Sequence, residues 1–357
     1  MGIQALRTYQ FRNLVDGSVE TDARAVVLVG QNGQGKTNFL EAVHYACYGS
    51  SFRTRRDDVL HRTGESEMAV EARFSDGEAS RTISVRHTTA GKTISIDGKT
   101  TRDRKDMIAS IPAVVFCHDD IRYVNGPPEM QRWFVNQSLA MIDVAYVDDL
   151  RRYGRILKTR NTALRDGQAM ILDALDQQLA ETGLRLVAQR SQLVGLLGPM
   201  LTEMFGAVFS EQHLLELKYR SRWAAYSVAD AVTSLSRHRE QDLTMKTSTQ
   251  GPHRDRFPFF LDHQPLSETA STGQQRLVSL LLRVGQARLL SHVLRREPVL
   301  LLDDVLLELD PARRQRFVDS LPEYRQAFFT FLPDEQYARF AAGSTITYHV
   351  ADGTLRA

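Results

Sequence analysis

"GQNGQGKTN", Gly30 to Asn38, stands between the apolar run "ARAVVLV" (23–29) and a stretch of helical character from Lys36 to Cys47. Gly30, Gly35, Lys36 and Thr37 meet the pattern G-x-x-x-x-G-K-T, and a strand before with a helix after is the setting in which that pattern grips phosphate. The glycines let backbone N–H groups close around phosphate oxygens, Lys36 sets a positive charge on the β- and γ-phosphates, and the Thr37 hydroxyl is placed to ligate Mg²⁺. A chance glycine-rich turn would not account for both neighbours. The residues assigned to ATP are therefore Gly30, Gln31, Asn32, Gly33, Gln34, Gly35, Lys36, Thr37 and Asn38.

Such a loop needs an apolar strand ending in acid, and none follows soon. The best candidate is "VLLLDD", ending at Asp303 and Asp304. Asp303 is expected to hold Mg²⁺ through water, and Asp304 to orient or deprotonate the attacking water. An Asp is one methylene shorter than Glu, and its shorter reach points to slow hydrolysis. The alternative, a helix cap on a structural strand, leaves the upstream loop without a partner. Between loop and acids lies "ETASTGQQRLVSLLLRVGQARLL" (268–290). Ser-x-Gly-Gln-Gln opening a long apolar helix looks like the signature of ABC-type ATPases. A helix N-terminus carrying Ser271, Gly273 and Gln274 is itself an anion site. In that superfamily the signature grips the γ-phosphate held by a second molecule, so an ATP-dependent homodimer sandwiching two ATPs is expected.

The 357 residues suffice for one large domain or two ordinary ones, and 42% hydrophobic content can supply a core. There is no run of about 18 apolar residues, so no membrane span is expected. The start, "MGIQALRTYQFRN", lacks both a signal peptide's apolar stretch and the Ser or Thr of a myristoylation signal. Cys47 and Cys117 sit in apolar surroundings without metal spacing and read as buried thiols of a cytoplasmic protein. No His/Asp/Glu cluster has metal spacing, so a nuclease site is not supported. A net charge of +2 excludes a polycation. Basic residues cluster in "SFRTRRDD" (51–58), "TTRDRKD" (100–106) and "RRYGRILKTR" (151–160). Each run alone is usually a solvated face, whereas several on one surface form a nucleic-acid footprint. The candidate DNA contacts are Arg53, Arg55, Arg56, Arg102, Arg104 and Lys105.

"LRTYQF" (6–11), "ARAVVLVG" (23–30) and "IPAVVF" (111–116) read as strands. "MAVEARF", "RTISVRH" and "TISID" alternate apolar with polar residues around turn chemistry and predict a small antiparallel meander. From about Gln131 to Glu240 the pattern is helical, with a stripe of Ile171, Leu172, Leu175, Leu179, Leu186, Leu193 and Leu197 that reads as ordinary core. Strands return at "FPFFL" and "EPVLLLDD", then a helix at "DPARRQRFVDSL" and a strand at "QAFFTF". The expected fold is α/β: a P-loop ATPase head of ABC type with an antiparallel meander and an inserted, mainly helical lobe, without a long coiled coil. Residues 1–125 and 297–357 would form the ATPase lobe, and 126–296 the helical lobe carrying the signature.

The chain resembles the RecF family over most of its length. The carrying segments are "FRN" (11–13), "GQNGQGKTNFLEAV" (30–43), "SFR" (51–53), "VVF" (114–116), "NGPPEMQRWF" (125–134), "LKTRNTAL" (157–164), "GPHRD" (251–255), "ASTGQQR" (270–276) and "LLLDDVLLELD" (300–310). "GPHRD" followed by "ASTGQQR" is the most specific pairing. The resemblance implies a cytoplasmic protein that binds ATP with Mg²⁺, dimerises on it and engages double-stranded or gapped DNA. It also implies work with RecR, and often RecO, in placing RecA at gaps. By the same resemblance Arg12 and Asn13 lie near the nucleotide, Ser271 acts on the partner's ATP, Asp310 ends a loop at the dimer interface, and Thr330 occupies a γ-phosphate-sensing position. The chain departs from the pattern at Leu307, where a Ser is usual, at Asn136 for Asp, at Gln131 for Arg, and in "FTFLPD" after the last strand. His253 of "GPHRD" reads as a structural, hydrogen-bonding residue. Rival classes are a transporter ATPase, which needs a membrane partner, a Rad50- or SMC-type protein, which needs a long coiled coil, and a regulatory ABC ATPase without DNA binding.

Overall fold

The computed structural model describes residues 2–76, 79–101, 103, 107, 111–335 and 343–357. In chain order the strands and longer helices are β1 (Gly2–Tyr9), β2 (Gly17–Glu20), β3 (Ala25–Val29), α1 (Lys36–Tyr48), β4 (Glu67–Asp76), β5 (Ala79–Thr88), β6 (Gly91–Ile96), β7 (Lys99–Thr101) and β8 (Ala113–Phe116). Then come α2 (Pro128–Ile142), α3 (Val144–Arg165), α4 (Leu172–Val208), β9 (Leu215–Leu217), α5 (Val228–Arg237), α6 (Arg239–Met245), β10 (Phe259–Leu261) and β11 (Gln264–Pro265). The chain closes with α7 (Thr272–Leu294), β12 (Val299–Leu302), α8 (Pro311–Ser320), β13 (Gln326–Phe331), β14 (Thr345–Ala351) and β15 (Thr354–Arg356). Two compact units result, 1–119 with 286–357, and 120–285.

The first unit holds two sheets. One has the order β15-β14-β3-β13-β12-β8, parallel except for the edge strand β15. Parallel strands covered on both faces read as unbroken apolar runs, and β3, β8, β12 and β13 are buried at every position. Strands β3 and β12 each pair with β13, so the two strands that lead into the loop and the acids flank a common neighbour. The other sheet is antiparallel, β2-β1-β4-β5-β6-β7. It is larger than the meander read from alternation, because β1 pairs with β4 from far along the chain. Strand β1 also ends earlier than the predicted 6–11: Gln10 and Arg12 turn left-handed (φ 48 and 52) and break the extended backbone. Buried Gln326 at the head of β13 joins the sheets, accepting from the Ile3 N–H at 2.8 Å and donating to the Ile3 carbonyl at 3.0 Å.

The second unit is helical around α4, whose 37 residues span about 55 Å. The predicted leucine stripe is core: Leu172, Leu179, Leu186, Leu193 and Leu197 are buried, and only Ile171, just before the helix, is exposed. Unpredicted from the sequence is a small sheet, β11-β10-β9. Buried ion pairs bind the helices: Arg160 to Asp176 (2.6 Å) and Asp242 (2.7 Å), Arg190 to Asp255 (3.0 Å), and Arg283 to Asp120 (2.8 Å). Helix α7 has the length and mean hydropathy (1.3) of a membrane span, but 72% of that stretch is buried in the protein, which accounts for its apolar character. Both cysteines are buried, and burial pushes the Cys47 thiol up to about 12.

Candidate functional site

The loop leaves β3 at Gly30, where a Cβ would lie 2.4 Å from the Val350 carbonyl oxygen, so no side chain fits. It ends at Gly35 (φ 118), which opens α1. That helix has no capping side chain and no acid in its first turn. Its leading N–H groups and its dipole are left for an outside anion. Lys36 is 4% exposed, and its Nζ folds back on the loop to donate to the carbonyls of Gly30 (2.7 Å) and Gln31 (3.2 Å). No carboxylate takes up its charge among these contacts.

Thr37 Oγ1 donates to Asp303 Oδ1 at 2.8 Å, joining the loop to the far acid across 266 positions of sequence. Burial pushes the Asp303 carboxyl up to about 6; the Thr37 hydrogen bond opposes the rise and neighbouring Asp304 adds to it. Asp304 takes a left-handed backbone (φ 53). Thr330, 4% exposed on β13, holds it there: the Asp304 N–H donates to Thr330 Oγ1 (2.8 Å), and that hydroxyl donates to Asp304 Oδ1 (2.7 Å). The two adjacent carboxylates differ in their nearest partner, the loop threonine for Asp303 and Thr330 for Asp304, and the Thr330 hydroxyl also lies 3.5 Å from Asp303 Oδ1.

Beside the loop, Asn13 Oδ1 accepts from Asn38 Nδ2 at 2.7 Å. Arg12 clasps Glu41 with two bonds, Nε to Oε2 at 2.9 Å and Nη2 to Oε1 at 3.1 Å. Arg53 and Ser51 donate to the same carboxylate, which is 0% exposed. Glu41 was missed by sequence reasoning. The signal was present, since an acid in the middle of "FLEAVHYACY" must be buried with a cation if that face packs. Arg53, grouped with DNA contacts from sequence, also donates to Asn38 Oδ1 at 2.9 Å and so sits against the loop. Arg56 is paired with Asp58, while Arg55 is exposed. Arg102, Arg104 and Lys105 lie outside the described residues.

In the second unit Ser271 is exposed at the start of α7 and forms a capping box with Gln274: the Ser271 N–H donates to Gln274 Oε1 (2.8 Å), and the Gln274 N–H to Ser271 Oγ (3.3 Å). Gly273 is exposed in that first turn, and a Cβ there would meet nothing nearer than Ser271 Oγ at 4.0 Å. Asp310, in the first unit, caps α8 by accepting from the N–H groups of Ala312 and Arg313. His253 packs as a structural residue, with Nδ1 2.7 Å from Tyr153 Oη and Nε2 3.0 Å from the Ser248 carbonyl. The carbonyl only accepts, so Nε2 carries the proton and Nδ1 takes the Tyr153 O–H. Burial pushes His253 down to about 4 and keeps it neutral. Asn136, where an Asp was expected, accepts from Tyr146 Oη (2.6 Å) and Arg190 Nη2 (3.0 Å), work its amide oxygen can do. The side chain of Leu307 lies outside the described set. Among the described residues no cluster of His, Cys, Asp and Glu could hold a metal by itself.

The model of the "RecF/RecN/SMC N terminal domain" family matches residues 2–353. "DNA replication and repair protein RecF" of Treponema pallidum (strain Nichols) is 41% identical over 345 residues, covering 96% of this chain and 97% of that protein. The protein of the same name from Symbiobacterium thermophilum is 32% identical over 343 residues, covering 92% and 91%. Among solved structures, the recombination mediator protein RecF-ATP in the RecFOR pathway superposes with a TM-score of 0.91 at 24% identity, covering 99% of this chain and 96% of that one. An Smc head domain from Pyrococcus furiosus gives 0.56 at 14% identity, covering 99% and 95%. At those identities the two structures speak for the fold alone.

Proposed function

The chain belongs to the RecF family, within the RecF/RecN/SMC N-terminal-domain group, and from that premise we propose that it is an ATP-dependent DNA-binding protein of recombinational repair. ATP binds at Gly30–Asn38, drives dimerisation on DNA at gaps or junctions, and is hydrolysed slowly, with DNA as stimulant. RecR, in the family often joined by RecO, is the partner through which RecA is placed. The protein works in the cytoplasm.

The observation that carries this reading is the 2.8 Å contact between Thr37 and Asp303. It sets the loop hydroxyl beside the strand-end acid, which supports a phosphate and Mg²⁺ site there. The donor set fits: an uncapped helix N-terminus, a buried amine bonded only to carbonyls, and a hydroxyl beside a carboxylate. Mg²⁺, when bound, would be held by Thr37 and Asp303 and would supply positive charge that offsets the cost of burying the Asp303 carboxylate. The chain's own residues do the rest. The α1 N-terminus and Lys36 hold phosphate oxygens, and Thr37 with Asp303 sets the cation side. Asp304, aimed by Thr330, receives the proton of the attacking water. Ser271 and Gly273, exposed on a helix N-terminus, offer N–H and O–H groups to the ATP of a second copy.

The test is nucleotide titration together with mass by light scattering, with and without duplex and gapped DNA. Lys36→Met should lose tight ATP binding with the fold retained, and wild type should dimerise with ATP and bind DNA only in that state, more weakly as salt rises. Unchanged ATP affinity in Lys36→Met sinks the site assignment. An ATP-driven dimer with no affinity for DNA supports a regulatory ATPase instead.

A further inference from the structure

Gly251, Arg254 and Asp255, from a segment that the ATP site does not use, help to wall an open cavity of about 790 Å³ in the helical unit. Arg220, Arg222, Arg254 and Arg256 all line it. Their side-chain partners are neutral. Arg222 Nη1 donates to Gln250 Oε1 (3.1 Å), Arg254 donates to the Ser248 carbonyl (3.0 and 3.3 Å), and Arg220 lies over the Phe260 ring at 5.1 Å. Arg256 is fixed next to Arg220 by reciprocal backbone bonds of 2.9 and 3.0 Å. Among the described residues no carboxylate pairs with any of the four. The acid in the wall, Asp255, is 2% exposed and already answered by Arg190 (3.0 Å) and the Tyr219 hydroxyl (2.6 Å). Four positive charges therefore converge on one concavity uncancelled.

The wall is held from behind. Asp242, itself clamped by Arg160, accepts from both the N–H (2.8 Å) and the hydroxyl (2.7 Å) of Thr249. Arg190 donates to the Pro252 carbonyl at 2.7 Å as well as to Asp255. Gly251 takes φ 122, and a Cβ there would sit 2.6 Å from Tyr153 Oη, so the turn admits no larger residue. Buried ion pairs contribute little net stability against apolar replacements, so two of them behind one wall are better explained by positioning.

We infer that this cavity is a second anion site, built from residues other than those of the ATP loop, and that it takes a phosphate-bearing ligand of nucleotide size. The volume falls in the range of small-ligand sites, about 300–1,000 Å³. Guanidinium forks match phosphate oxygens two at a time, and four of them call for a ligand with several negative charges, which a lone carboxylate lacks. The phosphates come either from a free oligophosphate or from a nucleic-acid strand. The inference stands apart from the ATP-site reading.

The test uses the full chain with its loop saturated by Mg²⁺ and ADP, titrated with inorganic pyrophosphate by calorimetry. Wild type should bind pyrophosphate, and Arg222→Ala/Arg256→Ala should bind it roughly tenfold or more weakly, with ADP affinity unchanged. Met245→Glu adds a repelling charge at an exposed lining residue, removes no existing bond, and should also weaken binding. Displacement of pyrophosphate by an oligothymidylate assigns the site to nucleic-acid strands, and no displacement assigns it to a free oligophosphate. The inference is overturned if wild type binds no pyrophosphate beyond the loop. It is equally overturned if either variant, folded by the criterion of its ADP affinity, binds pyrophosphate as tightly as wild type.

Discussion

Replacing Glu41 by Gln changes one atom in the buried cluster that anchors Arg12 beside the loop. The carboxylate accepts from Arg12 Nε (2.9 Å), Arg12 Nη2 (3.1 Å), Arg53 Nη1 (3.3 Å) and Ser51 Oγ. Glutamine keeps one acceptor oxygen, which serves Ser51 and Arg12 Nη2, and presents an amide N–H₂ to Arg12 Nε and Arg53 Nη1. Two charge-assisted bonds of about 1.5–3 kcal/mol each are then lost, donor facing donor. The side chains of Arg12 and Arg53 remain 22% and 42% exposed and recover part of that from water. The expected net destabilisation of the first unit is about 3 kcal/mol. Both tryptophans, Trp133 and Trp223, lie in the other unit, so their fluorescence is blind to this change. Hydrogen exchange read by mass spectrometry is the suitable assay. Amides of α1 should exchange roughly a hundredfold faster, with those of residues 120–285 unchanged. The double replacement Arg12→Met/Glu41→Met removes both charges and should bring exchange back to within about tenfold of wild type. An increase below about tenfold in Glu41→Gln alone would refute the view that this carboxylate anchors the loop's surroundings.

Asp304→Asn keeps an oxygen for the Thr330 hydroxyl but loses the base, so ATP affinity should hold while hydrolysis falls by roughly 10²–10⁴ and dimer accumulates; hydrolysis at the wild-type rate would assign Asp304 another role. Ser271→Arg should leave monomer ATP binding intact but block dimerisation, and mixing it with Lys36→Met should restore some ATPase through the one undamaged composite site. Loss of ATP binding by Ser271→Arg as a monomer would place the signature in its own chain's pocket. His253 titrates at about 4 in the folded chain against an ordinary 6.5, so between those values only the unfolded state takes up the proton. Stability is therefore fully present above about pH 6.5 and falls by about 3 kcal/mol as pH drops to 4. His253→Gln, which keeps a donor for the Ser248 carbonyl, should flatten that dependence in a melt followed by tryptophan fluorescence, and an equally steep acid loss in the variant would clear His253.

Legible from sequence alone were the features written in short spacing. Gly30 to Thr37 could be read because the motif is contiguous, with Gly33 (φ 81) and Gly35 (φ 118) meeting local backbone demands, and β3, β12 and β13 could be read because strands buried on both faces need unbroken apolar runs. Ser271 and Gln274 announced a helix start for the same local reason, three residues apart. Tertiary structure alone decided who meets whom. Periodicity records that a side chain is buried and says nothing of its partner, so the pairing of β1 with β4, the turn of Asp304 toward Thr330, and the clasp of Arg12 on Glu41 were not readable. The same holds for charge. A row of arginines looks uniform in sequence, yet Arg53 is spent on Glu41 and Asn38 and Arg56 on Asp58, while Arg220, Arg222, Arg254 and Arg256 line one cavity whose acid, Asp255, is taken by Arg190 and Tyr219. Whether a cation is free depends on carboxylates brought near by folding, a long-range property that composition and local pattern do not contain.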